Sequence, residues 1–561
     1  MTMTASPPDE RLLAPAPGDA ASEVSPDAPV LPESLFTTGD HKRLGRAFLI
    51  MATVFVLATS VIGVILEIEL SARGVTIVGN DYGRLFSLHS TAGALLFLPG
   101  LFLGLAFYVV PLQIGARRLA FPRVGALAFW SYVVGGLLLL ASYTFGRPNG
   151  MGLAYSVAPP VVKGVSRATD LWVSSMGLIT VAVLLAAVTL FVTVLKLRVE
   201  GMTMIRVPAF SWSVLVVNAA TLLSAPVFLA GLLILSIDQH FAGGALSAKQ
   251  VNANLVWQHL LWLYGRPDVY LVAVPSLGAL TDVVLTHSHR RPFQPAAAKA
   301  LIALTAVLSF GILAANASIE RAVLIPTPSV LSVAIAIPIG LLVLLWLGSI
   351  RPAELRPHVS LLYLAGFVLL LVAGAVNAVI APSQNLVGGL NGSEWTVGQV
   401  HALLFAAPAM AAFAGIYHWS PKIWGRALNQ LIGVLQALLL LGGFLITSLG
   451  AWLAGYDGAP WHVDDYVGAK SDHYFNYGAL ASAGGVLVGL GLLVFLLNIG
   501  LTVKRVRGEH VADLLADPWE GQTLEWASSS PPPAHNFDAV PEVRSDAPLS
   551  DRRAATEAEV L

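Results

Sequence analysis

The chain has no cysteine among its 561 residues, and that absence removes several kinds of chemistry at once. There is no disulfide framework, no thiolate metal site and no attachment point for a covalent c-type heme. Charge is scarce too. Only 12% of residues are Asp, Glu, Lys or Arg, about half of what a soluble surface requires. The 32 basic and 33 acidic residues nearly cancel, so no broad electropositive footprint exists for nucleic acid. Period-two alternation is missing as well: the apolar runs are continuous, which excludes a membrane β-barrel. What the chain has in plenty is apolar surface, with 56% hydrophobic residues and a mean hydropathy of +0.73. A 59.1 kDa chain of this kind is an all-α polytopic membrane protein whose solvent is mostly lipid. Its 51 glycines suit close packing of helices in a bilayer.

Residues 1–36 are rich in Pro, Ala, Ser and Asp and read as a disordered cytoplasmic tail. No basic start leads into a short apolar core, so this is not a signal peptide. The polar region 508–561, with Ser528-Ser-Ser-Pro-Pro-Pro533, is expected to lie extended outside the membrane as a cytoplasmic C-terminal tail. Between them, over 37–507, about twelve apolar stretches approach the ~20 residues needed to span a bilayer. They lie near 45–68, 86–111, 124–144, 171–195, 210–236, 255–285, 299–318, 323–348, 359–381, 397–417, 428–454 and 479–503. An even number places both termini on one side. Lys42, Arg43, Arg46, Arg117, Arg118, Arg123, Arg290 and Arg291 crowd the connections on that side, and the opposite side holds far fewer cations. The positive-inside rule then puts both termini in the cytoplasm of a prokaryotic inner membrane.

Ionisable residues at membrane depth are costly and mark function. Three histidines fall well inside spans, His89, His259 and His401, and His418 lies near a span end. The other nine fall in loops or tails and read as solvated. His89, in Leu85-Phe-Ser-Leu-His-Ser-Thr-Ala-Gly93, and His401, in Gly398-Gln-Val-His-Ala-Leu-Leu404, fall at similar depth near the outer ends of the second and tenth spans. Two neutral imidazoles facing each other from different helices are the usual protein ligands of a low-spin heme. Spacing alone also allows the plainer reading, a histidine hydrogen-bonded to a neighbouring carbonyl.

Several segments carry more than spacing. Thr37-Thr-Gly-Asp-His-Lys-Arg43, Val109-Val-Pro-Leu-Gln-Ile-Gly-Ala116 and Ala120-Phe-Pro-Arg123 resemble subunit I of the heme-copper oxidases, the cytochrome c oxidase family. So do Gln258-His-Leu-Leu-Trp262, Gly265-Arg-Pro-Asp-Val-Tyr270 and Phe413-Ala-Gly-Ile-Tyr-His-Trp-Ser-Pro-Lys422. Asp517-Pro-Trp-Glu-Gly-Gln-Thr-Leu-Glu-Trp526 and Ser530-Pro-Pro-Pro-Ala-His-Asn-Phe537 extend the match into the tail. The resemblance runs in order from about residue 36 to about 540. It implies a twelve-helix bundle in which His89 and His401 are the axial ligands of the low-spin heme. His259 matches a position that is not a ligand.

The same resemblance marks departures. The family's oxygen-reducing centre needs four more histidines, and none is present. Its His-x-His in the tenth span, whose first member anchors the high-spin heme, begins here with Gln399. Two residues along a helix stand about 200° apart, so one helix can face a heme on each side. The copper histidine of Gly-His-Pro-Glu-Val-Tyr is Arg266, a permanent cation with no lone pair for a metal. Tyr270 is kept, but the histidine it would be linked to is gone. The adjacent His-His pair aligns with Ala315 and Asn316. Along the family's proton routes, an aspartate aligns with Arg118, two asparagines with Gly125 and Ala126, and a glutamate with Asp268. A Thr and a Lys align with Ile339 and Leu342. The magnesium-binding His-Asp pair aligns with Asn391 and Gly392, and the Arg-Arg pair that holds heme propionates with Trp461 and His462. Where an Arg contacts the heme formyl group, this chain has Glu67.

These residues imply one low-spin heme, b-type or a-type, with no copper and no high-spin heme. The expected function is electron transfer in a respiratory membrane complex. Its partners would be lipid, other subunits of the complex, and an electron donor such as cytochrome c, a copper domain or quinol. Two alternatives stay open: a working terminal oxidase or nitric-oxide reductase with unorthodox ligands, and a heme-free assembly or regulatory subunit. Arg266 is expected to refill the copper volume by pairing with a carboxylate, with Asp268 and Glu320 nearest in sequence.

Overall fold

Glycine spacing and apolar length dictate a bundle, and the computed structural model is one. It describes residues 35, 38–71, 77–146, 166–241, 246, 257, 260, 269–289, 294–316, 327–350, 355–380, 390, 393–461, 463, 466, 471–506 and 517–560. Side chains are described for all of these except 269–270, 310–316, 327–333, 377–380, 506 and 559–560. Among the described residues nine helices are long and apolar enough to cross a membrane. They are α1 (His41–Ser71), α2 (Gly79–Gln113), α3 (Pro122–Thr144), α4 (Arg167–Lys196), α5 (Ala209–Phe241), α9 (Val359–Ile380), α10 (Glu394–Trp424), α11 (Gln430–Tyr456) and α12 (Ser471–Val506). Three more apolar helices, α6 (Val274–His287), α7 (Pro295–Asn316) and α8 (Thr327–Ser349), overlap the remaining expected spans but are shorter over their apolar stretch.

The helices pair where small residues let backbones approach. Gly45 of α1 lies against Gly104 and Tyr108 of α2, where an added Cβ would come within 2.8 Å of the Gly104 carbonyl oxygen. Gly443 of α11 meets Gly484 of α12 in the same way. Such contacts replace the hydrophobic drive that lipid cannot supply. α2 is the axis of the bundle: 94% of its apolar window is buried, against 28% for α12, which faces lipid.

Three helices carry a widened π turn: α2 at Gly93–Phe97, α10 at His401–Ala406, and the turn Val269–Ala273 that leads into α6. Each ends two residues before a proline, namely Pro99, Pro408 and Pro275. Proline has no N–H, and its ring collides with the carbonyl four residues back, so the preceding turn opens by one residue.

The tail expected to run extended is instead folded onto the base of the bundle, the end where α1 begins and α2 and α10 finish. Residues 517–547 bury Leu524, Trp526, Phe537 and Val543, and a last helix, α13 (Pro548–Val560), follows. Lys422, fully buried at the foot of α10, donates to the Ser528 carbonyl at 2.6 Å. Asn536 ties the tail to the start of α1. Its side-chain oxygen accepts from Lys42 Nζ at 2.8 Å and meets His41 Nε2 at 2.9 Å, while its amide donates to the Ala116 carbonyl. Gln113 Nε2 bridges Asp282 at 2.8 Å and the tail's Glu525 at 3.1 Å. Burial pushes the Glu525 carboxyl above its ordinary pKa.

This cover corrects the reading of the loop histidines. His41 and His287 are buried and His358 is half-buried, because the tail closes over them. His287 stacks on His358 with centroids 4.3 Å apart, and His418 stands edge-on to His287 at 5.4 Å. Trp519 caps the group. Parallel stacked rings cannot aim their in-plane lone pairs at one ion. Among the described residues, no group of three or more His, Cys, Asp or Glu is arranged to hold a metal.

Candidate functional site

His89 leaves α2 one turn before its π turn, and His401 opens the π turn of α10. Their rings face each other with centroids 6.3 Å apart and planes tilted by 33°. Each ring is steered from behind. His89 Nδ1 donates to the Thr59 carbonyl of α1 at 2.8 Å, and His401 Nδ1 donates to the Val397 carbonyl at 3.0 Å. A carbonyl can only accept, so both rings carry the proton on Nδ1. The Nε2 lone pairs are left for another partner, the arrangement that a backbone carbonyl behind the ring imposes on metal-binding imidazoles.

The helix walls make room for this. Gly63 of α1 sits under the His89 ring, where a Cβ would lie 2.7 Å from His89 Cε1. Gly93 does the same for Phe405, whose ring lies 6.1 Å from that of His401. Around the pair is a cavity of about 150 Å³, part of it open at the edge. Phe97, Phe405, Phe413 and Leu492 line it towards the middle of the bundle, and Glu67, Tyr82 and Glu394 line it towards the far end from the tail.

A flat metal-centred ring fits between these imidazoles. Imidazole nitrogen binds a transition metal at about 2 Å, and the ring centroid lies roughly 1 Å behind it, so two imidazoles on one ion stand about 6 Å apart. The observed separation meets that requirement without movement. Residues 43–487 match the family described as Cytochrome C and Quinol oxidase polypeptide I.

The chain belongs to the heme-copper oxidase subunit I family. It is 36% identical over 520 residues to a putative cytochrome c oxidase subunit 1-beta of Streptomyces coelicolor, covering 92% of this chain and 89% of that one. It is 31% identical over 518 residues to cytochrome c oxidase subunit 1 of Corynebacterium glutamicum, covering 92% and 88%. A heme-copper terminal oxidase dimer solved by cryo-EM shares the fold, with a TM-score of 0.68 at 16% identity over 82% of this chain and 84% of that one.

Within this oxidase fold the two expected axial histidines are brought together. Gln399, two residues before His401, is half-buried and does not line the cavity. Of the altered proton-route positions, Arg118 is exposed at the base, Gly125 and Ala126 pack inside α3 with Gly125 against Phe107, and Ile339 and Leu342 lie on α8, Leu342 fully buried. Arg266, Asp268 and His259 lie outside the described residues, as do Glu320, Asn391, Gly392 and His462. Tyr270, Ala315 and Asn316 are placed by backbone alone. Sequence reasoning missed Glu394, a carboxylate seven residues ahead of His401 at the start of an apolar run, which was the available signal.

Proposed function

We propose that this oxidase-family chain holds one low-spin heme, b-type or a-type, between His89 and His401, and serves as an electron-transfer subunit of a respiratory complex. The supporting observation is the pair of imidazoles with Nδ1 occupied, Nε2 free and centroids 6.3 Å apart. Bound there, the heme supplies reversible one-electron chemistry at an iron with no open position. The chain's own part is to fix both rings through Thr59 and Val397, to seat His89 on Gly63, and to exclude water with Phe97, Phe405 and Phe413. Oxygen reduction is not assigned to it. Gln399, Arg266, Ala315 and Asn316 stand at the ligand positions, and none of them offers an imidazole nitrogen. The proposed setting is a prokaryotic inner membrane with both termini cytoplasmic, the donor being cytochrome c, a copper domain or quinol.

Reduced-minus-oxidised spectra of the purified protein are expected to show one bis-imidazole heme per chain, no shift with carbon monoxide, and copper near zero. The names of the curated relatives favour the competing reading, a working terminal oxidase. Copper near one per chain with carbon-monoxide binding would establish that reading instead.

Gly63→Val provides a geometric check. The new side chain meets the His89 ring, and overpacking of this kind costs about 1–3 kcal/mol. Heme content is expected to fall roughly 10-fold or more, while the helical circular dichroism is kept. Unchanged heme content would mean that His89 is not a ligand.

A further inference from the structure

The two imidazoles are held in different ways. His89 takes its direction from a second helix, through the Thr59 carbonyl and Gly63 of α1. His401 is held by its own helix, since the carbonyl that accepts from its Nδ1 belongs to Val397, one turn earlier. The peptide carrying that carbonyl ends at Gly398. The backbone N–H of His401 also points at the Val397 and Gly398 carbonyls. The ring therefore follows the backbone at 397–398, and whatever fixes that backbone fixes the ring.

α11 fixes it. Gly398 lies against α11, where an added Cβ would come 2.7 Å from Trp452 Cδ1, 2.8 Å from the Ser448 carbonyl oxygen and 2.9 Å from Trp452 Nε1. Carbon atoms in contact prefer 3.5 Å or more, so a methyl group here demands a shift of about 0.8 Å. The Ser448 oxygen is main chain within a continuous helix and cannot step aside alone. α10 has little room to retreat, because Leu403 packs onto Gly374 of α9, where a Cβ would strike its side chain. The start of α10 is tied to the end of α11 as well. The Glu394 N–H donates to the Ala459 carbonyl at 3.0 Å, and Gly455 leaves no space for a Cβ beside the Trp395 backbone nitrogen. Backbone, rather than flexible side chains, sets this crossing.

Resting on the heme reading above, we infer that Gly398 is a positioning residue for the iron site: its missing side chain lets α10 lie on α11, and this sets the plane of His401 against that of His89. The two planes differ by 33°. The angle between two axial imidazoles decides which iron d orbitals overlap their π systems, and so the g values of a ferric low-spin ion. Ring orientation is also one of the protein's levers on the metal. A displacement of about 0.8 Å exceeds the roughly 0.5 Å within which a positioned ligand must be held. Both Nε2 atoms could still reach one ion, but only with the His401 ring swivelled out of its present plane. Gly398 does not line the cavity, and it acts through Val397 and His401.

The test is the electron paramagnetic resonance spectrum of the oxidised full-length protein, read beside its heme content. Gly398→Ala is expected to keep one heme per chain and a bis-imidazole optical spectrum, with the largest g value moved by more than the wild-type linewidth. Gly135→Ala is the comparison. It crowds the α3–α4 crossing as tightly, 2.8 Å from Ile179 Cγ1, and does not line the cavity. That variant should lose thermal stability and keep the wild-type g values. If Gly398→Ala fails to fold or to take up heme, Trp452→Leu approaches the same contact from α11. It removes the ring on which Gly398 rests and should move the g value with heme retained.

Wild-type g values in the heme-loaded variant would overturn the inference while leaving the heme assignment intact. Equal shifts in Gly398→Ala and Gly135→Ala would overturn it too, because crowding would then act by loosening the whole bundle. A wild-type chain that takes up no heme, even with added hemin, removes the heme reading and this inference together.

Discussion

Asn536→Ala is expected to be among the most destabilising single substitutions in the chain. One amide side chain serves His41, Lys42 and the Ala116 carbonyl, all at the base of the bundle. His41 is 2% exposed and Lys42 5%, so water does not replace what the alanine removes. Leaving a buried polar group unsatisfied costs about 1–3 kcal/mol, and more for a charged one. Lys42 retains Asp40 at 3.3 Å and the Ala534 carbonyl at 3.0 Å, which limits its share. A total of about 3–5 kcal/mol follows. Asn536 also has φ of 72°, a conformation asparagine tolerates better than alanine. Thermal unfolding in detergent should show a midpoint lowered by several degrees. Asn536→Asp, which keeps the acceptor and loses only the donor to Ala116, should cost less than half as much. Equal losses for the two would mean that His41 and Lys42 do not depend on this residue.

Removing either imidazole of the central pair has the largest effect on spectrum rather than stability. His89→Ala and His401→Ala are each expected to abolish the bis-imidazole signal, because one remaining ring leaves the metal with an open position. Residual heme in these variants should bind carbon monoxide, which the wild type is not expected to do. The paired readout matters: a variant that lost heme through misfolding would show neither signal. Adding free imidazole should restore part of the closed spectrum in the alanine variants, since the cavity then has room for a small ring. Retention of the wild-type spectrum in both variants would sink the ligand assignment.

The all-helical membrane bundle was legible from apolar length, which bilayer thickness sets, and the meeting of His89 with His401 from motif resemblance. The folded tail was not. Residues 517–547 look polar because their anchors, Leu524, Trp526, Phe537 and Val543, are scattered among Ser and Pro with no period. Burial of His287 and half-burial of His358 follow from that cover, and no local pattern announces it. Leu98-Pro99, Ala407-Pro408 and Val274-Pro275 follow the π turns, but Pro111, Pro226, Pro338 and Pro421 lie inside helices without one, so a proline alone did not announce them. Glu67 stood out as a departure from the family, but its place with Glu394 on the wall of one cavity is a product of the bundle alone.

Asn536 and His41 are 495 positions apart, yet they meet at the foot of the first helix. During biosynthesis that first helix is in the bilayer long before the ribosome reaches the residues that fasten it. Before the tail is made, the tail-side ends of α1, α2 and α10 have no cover. That fastening can form only after the tail itself has been made.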